Sequence, residues 1–197
     1  MLILIVGTNG VGKSSFPKSL FSDETEYITE NGKIIATLFP EYNICAIGKY
    51  EESTSKVGGA DNYKSLDEIF YSLDYILKNY PKLDIILEGI FISVLKTRPQ
   101  NKIKEIKQKY NKITVVMYLT CPVEQSIHRI IKRNGKKPKS KHILSKHKSA
   151  KRQYFNYKEM GIITIPIDTS KLQLEQYKPI LLKIKNKYKP LEVKQLQ

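Results

Sequence analysis

Residues 7–14 of the chain, GTNGVGKS, match the pattern G-x-x-x-x-G-K-[ST] and directly follow a short apolar run at residues 2–6. In that position the pattern is typical of a phosphate-binding loop, in which backbone N–H groups and the start of the next helix surround an anion. We predict that Lys13 reaches the β- and γ-phosphates of a nucleoside triphosphate and that the Ser14 hydroxyl binds the accompanying Mg²⁺. The predicted nucleotide-binding residues are Gly7, Thr8, Asn9, Gly10, Val11, Gly12, Lys13, Ser14 and Ser15.

A carboxylate at the end of a second predicted strand adds to this site. Glu88 closes the mostly apolar run at residues 83–87, which is typical of a buried parallel strand. Open α/β sheets bind their ligands at the carboxyl ends of such strands. Glu88 is therefore predicted to hold the hydrated Mg²⁺ or to act as a general base. The alternative is an acid at a helix start with no further role.

Two arginines and a basic stretch follow in the second half of the chain. Arg129 and Arg133 stand four residues apart in a predicted helix, so both lie on one helix face. Paired guanidinium groups suit the neutralisation of transferring phosphoryl oxygens. Residues 132–152 contain ten Lys or Arg and no Asp or Glu, which predicts a mobile basic lid that meets an anion; the alternative is a solvated helix face.

Length, charge and cysteine usage limit the class of protein. A chain of 197 residues suits one α/β domain, and 34 Lys and Arg against 19 Asp and Glu give a net charge of +15, which predicts an anionic partner. Cys45 and Cys121 lie far apart in apolar surroundings, so we expect reduced core residues. No apolar run approaches the span of a bilayer, so we expect a cytoplasmic protein without a membrane segment.

The predicted elements alternate as in an α/β domain over residues 1–190, with a loose tail at 191–197. Strands at 27–29, 33–39 and 44–47, the first two joined by an Asn-Gly turn, predict a small antiparallel β-meander after the helix of the phosphate-binding loop. We expect residues 48–63 to form a polar, flexible loop outside the core, and residues 24–63 together to bind the acceptor. The other predicted elements are a helix that starts near Lys13 and ends by residues 22–23, helix 63–79, strand 83–89, helix 102–110, strand 113–120, helix 122–133, helix 142–160, strand 162–167 and a final helix capped by residues 168–170.

This order of elements resembles the P-loop nucleoside and nucleotide kinase superfamily over residues 1–185. The stretch TCPVE at 120–124, followed by the two arginines, is similar to the stretch before the lid of deoxynucleoside and thymidylate kinases, whose corresponding arginines contact donor or acceptor phosphates. Residues 168–170 look like the loop beside the adenine in that family. Leu87-Glu88-Gly89 looks like its second acidic motif, without the neighbouring Arg of deoxynucleoside kinases. The resemblance implies a three-layer α/β P-loop kinase sandwich with a mainly parallel sheet.

Within that superfamily, GKY at 48–50 and GGAD at 58–61, behind a β-meander, resemble bacteriophage kinases that phosphorylate 5-hydroxymethyluracil in DNA during thymidine hypermodification. The resemblance implies ATP and Mg²⁺ as cofactors, DNA containing 5-hydroxymethyluracil as partner, the host cytoplasm as location and Asp61 as the base. The implied acceptor-binding residues are Lys49, Tyr50, Gly58, Gly59, Asp61 and Glu88. A base inside a duplex must be flipped out or taken from a single strand, and a cationic surface must hold the backbone.

Two other functions are compatible with the same residues. The chain could be a kinase of free deoxynucleoside monophosphates or nucleosides, with the same donor site and with activity that falls little as salt is added. It could also be an NTP-dependent nucleic-acid-binding protein, although a second-strand Asp of the kind found in motor ATPases is missing from the sequence. Asp61 and Glu88 both qualify as the catalytic base on position and chemistry.

Overall fold

A seven-stranded sheet with helices on both faces forms the centre of the chain. The computed structural model describes residues 1–52 and 58–188, so the predicted tail and part of the predicted loop at 48–63 lie outside the described residues. The strands are Leu2–Val6 (β1), Glu26–Glu30 (β2), Lys33–Phe39 (β3), Ile44–Ile47 (β4), Asp84–Glu88 (β5), Thr114–Thr120 (β6) and Ile163–Asp168 (β7). Their order across the sheet is β2-β3-β4-β5-β1-β6-β7, and only the pairs β2-β3 and β3-β4 are antiparallel among the described strands.

The helices complete three layers. They are Ser15–Lys18 (α1), Leu66–Asn79 (α2), Ile90–Val94 (α3), Thr97–Tyr110 (α4), Val123–Asn134 (α5), Ser140–Glu159 (α6) and Tyr177–Tyr188 (α7). Apolar side chains of α2, α3, α4 and α6 pack on one face of the sheet, and those of α1 and α7 pack on the other. The predicted fold class, a three-layer α/β sandwich with a mainly parallel sheet, is confirmed.

The central strand β1 explains the apolar run that precedes the phosphate-binding loop. All five of its residues are fully buried; Leu2 and Leu4 pack on one face of the sheet, and Ile3 and Ile5 pack on the other. A parallel strand covered on both faces has no solvent side, so its residues are apolar without alternation. The strand therefore delivers the loop at residues 7–14 to the carboxyl edge of the sheet.

The predicted β-meander is present and is continuous with the parallel sheet. Asn31 and Gly32 have φ of 48° and 74°, the left-handed pair that a two-residue hairpin turn requires. Strand β4 pairs in parallel with β5, so the meander extends the main sheet rather than standing apart from it.

The prediction that residues 48–63 lie outside the core is wrong for several described residues of that segment. Tyr50 is fully buried, and Gly59 and Ala60 are buried in a 3₁₀ turn, Gly59–Asn62. The polar composition of the segment hides these few interior positions, because burial here depends on contacts with β5 and not on a local repeat.

Two helices differ from prediction at the edge of the sheet that carries the phosphate-binding loop. Helix α1 ends at Lys18 after four residues, so the loop's own N–H groups, rather than a long helix, define its anion cavity. Residues 168–170 do not cap the final helix, which begins only at Tyr177. They form a loop in which Thr169 donates from Oγ1 to the Val11 carbonyl oxygen at 2.9 Å. Helix α3 was not predicted.

Both cysteines are buried and unpaired, as expected of reduced core residues. Among the described residues, no helix has both the length and the apolar character needed to cross a membrane.

Candidate active site at the phosphate-binding loop

A cavity of about 240 Å³ lies against the phosphate-binding loop. Its walls come from four parts of the chain: the loop, α1, the 3₁₀ turn Gly59–Asn62 and α5. The lining residues are Asn9, Gly10, Gly12, Lys13, Ser14, Ser15, Lys18, Asp61, Arg129 and Arg133. All four predicted catalytic residues therefore meet at one cavity, although they come from distant positions in the chain.

Close packing dictates the glycines of the loop. Gly10 and Gly12 have φ of 82° and 88°, a region that side-chain-bearing residues rarely adopt. A Cβ atom on Gly10 would lie 2.5 Å from the Ser126 carbonyl oxygen of α5, and one on Gly12 would lie 2.7 Å from the Tyr177 hydroxyl of α7. The loop is thus held between two helices in a fixed shape.

Three of the predicted nucleotide-binding residues are not among those that line the cavity. The Gly7 N–H donates to Ser93 Oγ at 3.1 Å, and the Val11 side chain is fully buried in the core. Thr8 is buried, and its carbonyl oxygen accepts a hydrogen bond from Lys13 Nζ at 3.2 Å. These residues shape the loop, whereas the predicted residues of the set that line the cavity are Asn9, Gly10, Gly12, Lys13, Ser14 and Ser15.

Glu88 lies directly behind the loop and is fully buried. Its Oε1 accepts hydrogen bonds from Ser14 Oγ at 2.9 Å and from the Tyr50 hydroxyl at 3.0 Å, while Oε2 has no partner among the described residues. Burial raises the pKa of Glu88 to about 7, although the nearby charge of Lys13 acts in the opposite direction. A buried carboxyl group with one oxygen that accepts no hydrogen bond, next to a serine hydroxyl, can supply part of the ligand set of a cation.

These oxygens fit a Mg²⁺ ion. Mg²⁺ prefers oxygen ligands and is usually held by one or two protein groups, with water and phosphate oxygens completing the shell. Ser14 supplies a hydroxyl and Glu88 supplies a carboxylate that can bind water ligands of the ion. The described residues contain no cluster of three or more His, Cys, Asp or Glu that could hold a metal alone, so an ion here would need the phosphates of a bound nucleotide.

Glycines pack around Tyr50 and orient its hydroxyl group toward Glu88. A Cβ atom on Gly59 would lie 2.0 Å from the Tyr50 hydroxyl, one on Gly58 would lie 2.9 Å from its ring, and one on Gly48 would lie 2.5 Å from the Gly59 backbone. The tyrosine therefore occupies space that only glycines leave free. Burial raises the pKa of Tyr50 well above its ordinary value, so the hydroxyl remains a donor.

Most of the predicted acceptor-binding residues stand apart from the cavity. Tyr50, Gly58 and Gly59 are buried beneath its wall, and Lys49 is exposed and pairs with Glu51 at 2.6 Å. Of the predicted acceptor set, only Asp61 is among the lining residues of the cavity.

The Asp61 carboxylate joins the acceptor side of the cavity to the end of β5. Its Oδ1 accepts a hydrogen bond from the Ile90 N–H at 2.6 Å, at the start of α3. A Cβ atom on Gly89 would lie 3.1 Å from that oxygen, and Gly89 has φ of 152°, so glycine is needed there for the approach. This contact fixes Asp61 next to the segment that carries Glu88.

The two arginines have different surroundings. Arg129 Nη2 donates to the Thr169 carbonyl oxygen at 2.8 Å, and Nη1 donates to the Gly10 carbonyl oxygen at 3.4 Å. It therefore ties the phosphate-binding loop to the loop after β7. Arg133 bonds only to the adjacent Asn134 among the hydrogen bonds of the described residues, at 2.9 Å from Nε to Oδ1, so most of its guanidinium group is available to the cavity.

Sequence reasoning missed two supporting side chains. Ser93 accepts from the Gly7 N–H and donates to the Gly89 carbonyl oxygen at 2.8 Å, so it connects the phosphate-binding loop to the end of β5. Lys18 lines the cavity one turn after Ser14. Its place in the α1 helix was visible in the sequence, whereas no local pattern marks Ser93.

Replacing Glu88 with glutamine is expected to stabilise the nucleotide-free protein more at pH 8 than at pH 5, by on the order of 2 kcal/mol. The pKa of the buried carboxyl is raised from 4.5 to about 7, so its contribution to stability is fully present below about pH 4.5 and is lost as the pH rises through about 7. Glutamine keeps an acceptor oxygen and carries no charge to desolvate.

Urea unfolding of the wild type and of Glu88→Gln at both pH values measures this difference. The exposed Glu24→Gln is the matched control. If Glu88→Gln changed the free energy of unfolding equally at the two pH values, ionisation of Glu88 would not lower the stability of the fold.

The family model and the sequence relatives that match this chain carry the same description. A family model described as 5-hmdU DNA kinase matches residues 1–173. The 5-hmdU DNA kinase 1 of Salmonella phage ViI is 34% identical over 144 residues, which are 68% of this chain and 60% of that protein. The 5-hmdU DNA kinase of Bacillus phage SP10 is 30% identical over 181 residues, 88% of this chain and 28% of that protein. The chain thus spans less than two thirds of the length of these relatives.

Among solved structures, deoxyadenosine kinase from M. mycoides with bound dATP is 16% identical and gives a TM-score of 0.46 over 94% of this chain and 100% of that one.

Proposed function

We propose a function from one premise: this chain belongs to the 5-hmdU DNA kinase family. The proposed activity is the transfer of the γ-phosphoryl group of ATP to the hydroxymethyl group of 5-hydroxymethyluracil in DNA. The observation that carries it is the presence of a phosphate-binding lysine, Lys13, and a carboxylate, Asp61, in the wall of one cavity. Phosphoryl transfer to an alcohol needs these two groups within reach of the same atoms.

Asp61 is the proposed base. Its Oδ1 accepts a hydrogen bond from the Ile90 N–H, so the carboxylate is already oriented when an acceptor enters. Asp61 takes the proton of the hydroxymethyl O–H as the oxygen forms a bond to the γ-phosphorus. The bond from that phosphorus to the bridging oxygen breaks at the same time, and ADP leaves with the electron pair.

Lys13 and Arg133 are proposed to neutralise the negative charge of the phosphoryl group in transfer, with Arg129 as a further contact. Lys13 is 7% exposed, so its charge acts in a poorly screened environment. Arg129 already holds two backbone carbonyl oxygens, so we assign it mainly to fixing the loop.

Ser14 and Glu88 are proposed to hold Mg²⁺, Ser14 directly and Glu88 through water. When bound, the ion would neutralise charge on the β- and γ-phosphoryl oxygens. Tyr50 acts through Glu88: its hydrogen bond keeps Oε1 turned toward Ser14. We therefore propose Asp61, rather than Glu88, as the carboxylate that faces an acceptor.

The test is to label DNA and free nucleotide in parallel. With γ-labelled ATP, we expect phosphate on an oligonucleotide that contains 5-hydroxymethyluracil and none on the same oligonucleotide with thymine, because only the former offers the alcohol. Labelling of DNA should fall steeply with added salt, since DNA binding releases counterions.

Free 5-hydroxymethyl-deoxyuridine monophosphate is the matched acceptor without a backbone. Efficient, salt-insensitive labelling of the mononucleotide together with no labelling of DNA would replace the proposal with a free-nucleotide kinase. ATP hydrolysis with no acceptor labelled would instead favour an NTP-dependent nucleic-acid-binding protein.

A further inference from the structure

We infer that the solvent-facing side of α6, together with the end of α5 and the segment between them, is the surface that holds the DNA backbone while a base occupies the cavity. We call this the α5–α6 basic surface; its basic residues are Lys132, Arg133, Lys136, Lys137, Lys139, Lys141, Lys148, Lys151, Arg152 and Lys158. The inference rests on the proposed function, because it names the place where that function's substrate is held.

The charge of the chain is concentrated in this region. Residues 125–158 contain 12 of the 34 Lys and Arg and none of the 19 Asp and Glu. The rest of the chain therefore has 22 basic residues against 19 acidic ones, a net charge of only +3 out of the total of +15. One continuous segment thus accounts for 12 of the 15 net positive charges of the protein.

The ten basic residues that define the α5–α6 basic surface lack acidic partners within the described part of the chain. Elsewhere, Lys102 pairs with Asp74 at 2.6 Å and with Glu105 at 3.0 Å, and Lys185 pairs with Asp84 at 3.2 Å. Within the described ranges 1–52 and 58–188, no ion pair involves a residue of the α5–α6 basic surface. Their charges are left for an external anion.

The geometry of α6 directs these side chains outward. Its buried residues are Ile143, Ala150, Gln153 and Tyr157, of which Ala150 and Tyr157 pack in the apolar cluster on one face of the sheet. The residues on the opposite side are exposed, and most of them are three or seven positions apart, as one helix face requires: Lys141, Lys148, Lys151, Arg152, Phe155 and Lys158. At 1.5 Å per residue, Lys141 and Lys158 are about 26 Å apart along the axis, the length of roughly seven nucleotide steps at 3.4 Å.

Helix α6 is anchored along its length, so it can serve as a rigid platform. The Gln153 side chain bonds to the Leu95 carbonyl oxygen and to Gln100, and the His147 ring bonds to the Cys121 carbonyl oxygen at 3.2 Å. The part of the predicted lid that lies in α6 is thus tied to α3, α4 and the end of β6.

The α5 end of the surface leads to the cavity. Arg133 of α5 lines the cavity, and exposed lysines at 136, 137 and 139 connect it to the start of α6. A strand held on α6 can continue over these lysines to Arg133 in the cavity wall, which is the condition for a base of that strand to enter the cavity.

A triple substitution tests the surface: Lys148→Gln, Lys151→Gln and Arg152→Gln. The control triple, Lys104→Gln, Lys107→Gln and Lys109→Gln, removes the same charge from exposed positions of α4, whose carboxyl end leads to the opposite edge of the sheet. Affinity for a 20-mer containing 5-hydroxymethyluracil is measured by fluorescence anisotropy at several salt concentrations, with KM for DNA and for ATP.

We expect the α6 triple to bind DNA about 10- to 100-fold more weakly at 0.1 M salt, and the slope of log K against log salt to become shallower by about 2 to 3. The KM for DNA should rise, with kcat at saturating DNA and KM for ATP within about twofold of wild type. The control should stay within about threefold in every measurement.

Equal losses in the two triples, or a rise in the KM for ATP with unchanged DNA affinity, would overturn the inference; the latter would assign the segment to nucleotide closure. Failure of the proposed function is separate: it appears as wild-type protein that does not label DNA. Anisotropy still decides the surface in that case.

Discussion

Replacing Lys13 with alanine is expected to lower kcat/KM for phosphoryl transfer by about 10³-fold. Lys13 is the buried cation of the cavity wall, and its ammonium group bonds to the Thr8 carbonyl oxygen at 3.2 Å, which holds it over the loop. Removal takes a positive charge away from the place where negative charge develops during transfer. Initial rates with ATP and 5-hydroxymethyluracil DNA measure the loss.

The fold should survive this change, so circular dichroism and thermal unfolding accompany the kinetics. Lys104→Ala, an exposed lysine of α4, is the control and should leave the rate within about twofold. The Lys13 charge also lowers the pKa of Glu88, so the alanine variant should bind a proton at Glu88 more readily. A folded Lys13→Ala protein with more than a tenth of the wild-type rate would contradict the proposed donor site.

Asp61→Asn is expected to reduce kcat by about 10²- to 10⁴-fold and to leave nucleotide affinity within about twofold. An asparagine oxygen can still accept the Ile90 N–H, so the start of α3 is kept while the proton acceptor is lost. Single-turnover kinetics with saturating DNA measure the chemical step, and calorimetry with a non-hydrolysable ATP analogue measures binding.

Asn62→Ala, at the next and exposed position of the same turn, is the control for damage to the turn. If Asp61→Asn kept the wild-type rate, the role of Asp61 would be limited to accepting the hydrogen bond from the Ile90 N–H at the start of α3. A large loss in Glu88→Gln that is not relieved by raising the Mg²⁺ concentration, with little change in Asp61→Asn, would make Glu88 the base instead.

The phosphate-binding loop could be recognised from the sequence because its information is local. An apolar strand, a fixed spacing of glycines and a Lys-Ser pair are contiguous, and the backbone geometry follows from them. The Asn31-Gly32 hairpin was predictable for the same reason, since both residues tolerate left-handed φ. The mainly parallel sheet followed from unbroken apolar runs separated by helical spacing.

The environment of Tyr50 could not be read from its neighbours. Its burial depends on glycines eight and nine positions later and on Glu88, 38 positions later. Composition averaged over residues 48–63 is polar, so the sequence predicts a loop around Tyr50, whose side chain is fully buried. The prediction that residues 168–170 cap the final helix is wrong for a related reason. Thr169 bonds to the end of β6 and to the phosphate-binding loop instead of to the next helix.

The sequence by itself determined the fold class, the donor loop, the candidate acids and arginines and the concentration of positive charge. Only the tertiary structure decided how the acids differ: it buries Glu88 behind Ser14 and leaves Asp61, 27 positions earlier, in the wall of the cavity. It also anchors α6 so that its basic side chains face solvent. Residue type sets what a group can do, but burial and long-range contacts set its charge state, partners and direction, and those contacts exist only when distant segments pack together.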